Sequence, residues 1–365
     1  MRSLTRRGVP VYCARVAKDA LGPSSRFCAG WFDLTIGDTA LAAILEHAER
    51  WGITHLAAVS ENHIAFLNGH REALAARFTL LFPRQDVFER ASKKHLTLEC
   101  AKRAGIRIPL TAYPQTMEEA EVCREMEYPV VLKMSHRDFP DGTKVEFEHK
   151  SLTVGSYDEL KSVLGALAPG QFPMVQEYIP GGGVGMSMLM RGSRAVLAFQ
   201  HRRLREYPPE GGVSVYCEAM AVDPKVFEQS ERLLQEMQWD GVAMVEYRGD
   251  PETGRYALME VNGRFWGSLP TAVAAGADFP YWLYRTSLPG LEELPKQEYR
   301  TGLRARSLAG DTKWLLNVVG KGTRNPVRAV FQYLAAFRPS TRYFIWDWAD
   351  PKPAIWNFLG RFVRR

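Results

Sequence analysis

Apolar and polar positions along this chain alternate with two periods, and the two follow one another in a definite order. Near the N-terminus, residues 9–15 and 54–59 have the pattern of strands, and residues 39–51 and 74–81 that of helices. Alternating β and α signals predict a small parallel α/β domain over residues 1–90, Rossmann-like but truncated. No G-x-G-x-x-G follows a strand there, and the chain contains no Walker A motif.

From residue 91 the pattern lengthens. Residues 91–104 predict an amphipathic helix closed by Gly105, with Lys93 and Lys94 at its beginning. Residues 128–133 form an apolar strand that ends in Lys133, a residue type seldom buried without a partner. A helix over 157–167 carries Asp158 and Glu159 near its positive end. Residues 174–180 read as a strand running into a bend, and 186–190 with 195–200 as a strand pair around Arg191-Gly192. The glycines at 181–183 and 185 fit a turn before a strand. The basic stretch 201–206 and the Pro/Gly cluster after it predict a loop near a phosphate or an acidic acceptor, because arginine matches both groups in bidentate fashion. A helix over 226–237 follows.

Residues 242–247 and 256–261 are apolar runs flanking Asp250-Pro251-Glu252-Thr253-Gly254, a hairpin signature. Strand side chains alternate faces, so Glu246 shares a face with Glu260 and Asn262. A turn centred near Thr253 sets Glu246 opposite Glu260, and facing like charges destabilise a sheet unless something positive lies between them. Two carboxylates and an amide oxygen suit Mg²⁺; the bland alternative is a solvated hairpin face. Arg264 follows on the acidic side, Ser268 is placed to N-cap a helix with Pro270 in its first turn, and Gly276 to end it.

Composition is that of an ordinary globular protein, with a length suited to two or three domains. Five scattered cysteines without C-x-x-C argue for reduced thiols in the cytoplasm and against a zinc site. The net charge of +6 is uneven: residues 291–365 hold 14 Lys/Arg against 6 Asp/Glu. No run is long and apolar enough to span a bilayer, and no stacking aromatics accompany the basic stretch, so neither a membrane span nor nucleic acid is expected. The basic, aromatic-rich tail fits either packing against the body or contact with a membrane surface, and packing is preferred because Asp347, Asp350 and prolines interrupt any long amphipathic helix.

The order of these parts resembles the ATP-grasp superfamily, nearest its carbamoyl-phosphate-synthase-like and biotin-carboxylase-like members. The resemblance covers roughly residues 90–285 and rests on Lys94-x-x-Thr97 with Ala-Gly-Ile-x-Ile-Pro, on Lys133, on the strand at 174–180, and on Glu246 followed by Glu260-x-Asn262-x-Arg264. It implies an α+β fold of two lobes clasping ATP, residues 91–175 and 176–290, after the truncated domain at 1–90 and before a C-terminal extension at 291–365. By the same resemblance Lys94 and Lys133 contact ATP phosphates, Gln176, Glu177 and Ile179 meet the adenine edge, and Glu246, Glu260 and Asn262 hold two Mg²⁺, with Mn²⁺ as a substitute. Arg264, with Lys133, serves the reacting groups, and a glycine-rich flap is expected over 135–150, where this chain offers Gly142, His136, Arg137 and Lys144. The implied activity is an ATP-dependent carboxylate–amine or carboxylate–thiol ligase releasing ADP, acting on small molecules. A nucleotide-binding module or kinase without ligation, and a protein acting through its basic tail, are the alternatives.

Overall fold

The computed structural model describes residues 1–133, 151–168, 170–209, 211–250, 254–291, 294–322 and 325–359. The flap expected over 135–150, with Gly142, His136, Arg137 and Lys144, lies outside these residues, as does the hairpin tip at 251–253.

The N-terminal part runs α1 (Arg2–Thr5), β1 (Tyr12–Arg15), β2 (Gly30–Asp33), α2 (Ala40–Arg50), β3 (His55–Leu56), α3 (Glu61–Gly69), α4 (Arg71–Ala75) and β4 (Thr79–Leu80). Its strands pair in parallel, as the alternation predicts, but in two separate ribbons, β1–β2 and β3–β4. The helix expected over 74–81 is corrected. It ends at Ala75, because the Thr79 and Leu81 N–H groups donate to the Thr54 and Leu56 carbonyls of the neighbouring segment. The helix expected over 91–104 is split into α5 (Gln85–Ser92) and α6 (Lys94–Arg103) by the extended Lys93. The Thr97 hydroxyl donates to the Arg90 carbonyl at 2.8 Å, satisfying a backbone acceptor at the end of α5. Lys94 thereby opens α6.

A small lobe follows: β5 (Thr111–Ala112), β6 (Val130–Lys133), β7 (Ser151–Val154), α7 (Tyr157–Gly165) and β8 (Met174–Glu177), with the strands ordered β5-β8-β6-β7. Val130, Leu132 and Val175 face Leu160 and Leu164 of α7 in its core. Period-two alternation therefore turns Val131 and Lys133 to the opposite face.

The large lobe is built on β9 (Gly182–Arg191), β10 (Arg194–Tyr207), β11 (Val213–Met220), α8 (Pro224–Glu236), β12 (Gly241–Asp250), β13 (Arg255–Asn262), α9 (Leu269–Ala275) and α10 (Phe279–Arg285). β14 (Arg304–Arg306), α11 (Leu308–Lys321), α12 (Pro326–Leu334), β15 (Arg342–Tyr343) and α13 (Lys352–Leu359) complete it. Seven strands lie in the order β13-β12-β9-β10-β11-β14-β15. One face buries Met186, Met188, Val245, Tyr247 and Leu258 against Leu233 and Leu234 of α8 and against α5 and α6. The other face is apolar at one end, where Leu189, Phe199 and Met244 pack with Trp266 and Phe279. Its remaining part is polar.

Two further expectations are revised. The basic stretch 201–206 is not a loop: β10 continues through it to Tyr207, pairing with both β9 and β11. Each arginine there meets an acid on another element: Arg202 with Glu218, Arg203 with Glu246, Arg205 with Asp311; Arg203 also meets Glu206 on its own strand. The tail packs against the body, as preferred. β14 extends the large sheet beside β11, and Asp311 of α11 receives both Arg205 and Arg306 in a fully enclosed ion cluster. Arg205 stacks between Tyr216 and Trp314, and Arg306 between Tyr333 and Phe337.

Candidate functional site

The polar half of the large sheet presents a row of side chains that cross four strands in register: His201 on β10, Gly185 on β9, Glu246 on β12 and Glu260 on β13. The turn alone does not set Glu246 against Glu260. Asp250 pairs with Arg255 and Tyr247 with Leu258, a register that points Glu246 at Met259. A bulge skips Met259 and restores the carboxylates to face each other.

Two glycines clear the middle of this row. A Cβ on Gly183 meets Arg203 Cδ at 2.6 Å, and one on Gly185 collides with the His201 ring. They are strand residues, not the turn expected for 181–185. With no side chains at these two positions, Arg203 reaches across β9 from β10 to ion-pair with Glu246 on β12. Its other amino group lies 3.2 Å from Glu206 Oε1, and Glu206 in turn takes Arg248 at 3.3 Å. Here is the positive group that facing carboxylates require. The sequence had placed only a metal there.

The electrostatics follow from this crowding. Burial opposes the Arg203 charge, but Glu246, Glu206 and Glu260 more than offset it and hold the guanidinium protonated. Burial pushes the Glu246 carboxyl up to about 7 despite Arg203, with Glu260 adding to the push. Part of the Glu260 residue is exposed, while its carboxyl is set among protein groups. Burial there is outweighed by Asn262, Arg203, Lys94 and Lys133, which hold its carboxyl below the usual range. Asn262 Nδ2 donates to Glu246 Oε1 and to Glu260 Oε1, each at 3.2 Å. His201 is enclosed, pushed down to about 3 by burial and by Arg203, and its Nε2 lies 3.1 Å from Ser268 Oγ. Ser268 thus spends its hydroxyl on His201 and does not cap α9, although Gly276 ends that helix in the left-handed conformation, as expected.

Lys133 projects from the small lobe into the same field. Its ammonium donates to Gln176 Oε1 at 2.7 Å, and Gln176 Nε2 donates to Thr111 Oγ1 at 3.0 Å. Burial, followed by the like charge of Lys94, lowers the Lys133 ammonium to about 8, while Glu260 and Glu246 pull the other way. The charges of Lys94, Lys133, Glu246 and Glu260 therefore act on one another across the two lobes.

Other predicted residues sit differently. The Gln176 side chain is buried, with its amide oxygen on Lys133 and its amide nitrogen on Thr111. The Glu177 N–H donates to the Leu110 carbonyl, and its carboxylate accepts from the Leu110 N–H at 2.9 Å. That backbone donor is already committed. The Ile179 carbonyl accepts from Arg248 Nε at 3.0 Å. The Arg264 guanidinium lies 3.2 Å from Glu61 of α3, tying the large lobe to the N-terminal part.

Among the described residues no group of three or more His, Cys, Asp or Glu side chains forms a metal cage. The open set of Glu246, Glu260 and Asn262 nevertheless fits Mg²⁺, which keeps waters and substrate phosphates in its shell. Rotation of the Asn262 amide presents its oxygen where its nitrogen now meets the carboxylates.

Comparison with known proteins agrees with this arrangement. Residues 171–310 match a family described as ATP-grasp in the biosynthetic pathway with Ter operon. D-aspartate ligase of Enterococcus faecium is 22% identical over 225 residues, covering 57% of this chain and 52% of that protein. The chain thus spans about half the length of the curated relative it matches. The biotin carboxylase of Campylobacter jejuni, solved with an ATP analogue, superposes with a TM-score of 0.62 at 15% identity, over 83% of this chain and 70% of that one. L-amino acid ligase of Bacillus licheniformis gives a TM-score of 0.62 at 16% identity, over 82% and 73%. At these identities the structural likeness is one of fold. Two lobes, a lysine from the smaller, and facing acids on a hairpin of the larger go with this likeness: the chain has the ATP-grasp fold, and its residues 171–310 match an ATP-grasp family.

Proposed function

We propose that the protein is an ATP-dependent ligase that activates a carboxylate as an acylphosphate, releases ADP, and joins the acyl group to an amine, which displaces phosphate. The observation that carries this reading is the convergence of Lys133 and Lys94 on the paired acids Glu246 and Glu260. The names of the relatives, a D-aspartate ligase and an L-amino acid ligase, make amino acids the first substrates to test, with a thiol as the less favoured nucleophile.

In this reading Lys94 and Lys133 hold phosphate oxygens and neutralise charge that grows as the γ-phosphoryl group moves. Glu246, Glu260 and Asn262 hold Mg²⁺, which supplies charge neutralisation at the phosphates when bound. Arg203 anchors Glu246 in its register and keeps it from drifting with its proton. Gln176 and Thr111 fix the direction of the Lys133 ammonium, and Arg264 acts through Glu61 to hold the lobe against the N-terminal part. An amine arriving neutral needs no dedicated base, and none is assigned.

The test is a panel of carboxylates with hydroxylamine and Mg-ATP, following ADP and hydroxamate. ADP formed together with hydroxamate supports the reading; AMP and pyrophosphate contradict it. Glu260→Gln, at a partly exposed position, is expected to keep the fold and abolish turnover. Full activity in that variant removes the metal assignment.

A further inference from the structure

Helices α11 and α12 carry large apolar side chains on the side that meets solvent. On α12, Val327, Val330, Phe331 and Leu334 follow the i, i+3, i+4, i+7 spacing of a single stripe. All four are exposed, Val327 to 63% and Phe331 to 70%. Phe337 continues the stripe just beyond the helix, and Leu316 and Val319 of α11, which packs beside α12, are exposed as well. The inward face of α12 is occupied by Ala329 and by Tyr333, whose ring covers Arg306. An outward apolar stripe of this size is unusual on a surface that meets only water.

Charge along the segment that carries the stripe is one-sided. Asp311, Asp347 and Asp350, the acids among residues 308–359, are each ion-paired to arginine. Lys313, Lys321, Arg328 and Arg338 stand exposed on α11, α12 and the segment after them. A groove of about 430 Å³ beside the stripe is lined by Trp314, Asn325, Arg328, Ala329 and Gln332.

We propose that this face docks on an anionic membrane surface. Phe331, Leu334 and Leu316 enter the upper acyl region, and Arg328 and the lysines meet headgroup phosphates. Contact is peripheral, since among the described residues no helix is long and apolar enough to cross a bilayer. A second copy of the chain is the poorer occupant, because a two-fold contact sets the same cations against one another.

The test is co-sedimentation of the full chain with phosphatidylcholine vesicles, with and without about one-third phosphatidylglycerol, at low and high salt. The wild type is expected to pellet with the anionic vesicles at low salt and to stay in solution with phosphatidylcholine alone. Phe331→Glu with Leu334→Glu is expected to abolish pelleting with an unchanged melting temperature, as both positions are exposed. Arg328→Gln is expected to weaken partitioning about five-fold. Absence of wild-type binding, or equal binding by the double variant, overturns the proposal. So does wild-type self-association that the double variant removes, since the stripe is then a contact between copies.

Discussion

Lys133 provides the sharpest test of the candidate site, through pH. Its ammonium, ordinarily near 10.5, is lowered to about 8, first by burial and then by Lys94. If Lys133 holds nucleotide phosphate as proposed, the bound anion favours its charged form and raises its proton affinity again. Binding is then full below about 8 and weakens about ten-fold per pH unit above it, until the bound-state value is reached. Between about pH 7 and about pH 9 the charged fraction falls from roughly nine-tenths to one-eleventh, a loss of about 1.4 kcal/mol in Mg-ADP affinity. Calorimetric titration of Mg-ADP in two buffers of different ionisation enthalpy reads both the affinity and the proton uptake. Lys94→Met removes a like charge, so the midpoint moves to higher pH even as overall affinity drops. The effect on folding has the opposite sign. Between about 8 and 10.5 the unfolded chain binds more protons at this residue, so its contribution to stability rises with pH. Affinity that stays flat from about pH 7 to about pH 9, or a Lys133→Met variant with the wild-type profile, refutes the reasoning.

Other positions give independent checks. Asp311→Asn leaves Arg205 and Arg306 enclosed without their shared carboxylate, and is expected to cost roughly 3–5 kcal/mol, read as a lower urea midpoint. Combining it with Arg205→Met and Arg306→Met is expected to recover much of that loss, because no buried charge is then unpaired. Gly185→Ala drives a methyl group into the enclosed His201 ring, and is expected to cost roughly 1–3 kcal/mol in thermal melting and to weaken Mg-ADP binding by disturbing Glu246 on the adjacent strand. Thr111→Val removes the hydroxyl that orients Gln176; nucleotide affinity is expected to fall several-fold with little change in melting temperature, and an unchanged Kd argues against that relay.

The hairpin was legible because its signals are local: two apolar runs, a Pro/Gly cluster, and acids of equal parity on either side. The bulge at Met259 was not, since nothing in the residue types distinguishes a skipped methionine from a paired one. The basic stretch on β10 was misread for a related reason. A run of arginines looks solvated until its partners are known, and Asp311 lies 106 residues from Arg205. Alternation offered a signal that had been available: Phe199, His201 and Arg203 continue the period of two past Gln200, where the strand was expected to stop. Gly183 and Gly185, two apart on one strand, likewise hinted at a side chain passing overhead. The role of Gln176 depended on which strands pair with β8, a matter of sheet order that the sequence does not carry.

Strand order also departs from chain order in the large sheet. β11 ends at Met220, but its outer edge is covered by β14 and β15, from residues 304–306 and 342–343. A nascent chain therefore carries an unpaired backbone ladder, and an Arg205 awaiting Asp311, until residues 304–311 have left the ribosome. The lobe matures late, and a protein shortened near residue 290 is expected to aggregate during synthesis instead of yielding a folded, trimmed lobe, which soluble yield and limited proteolysis would reveal.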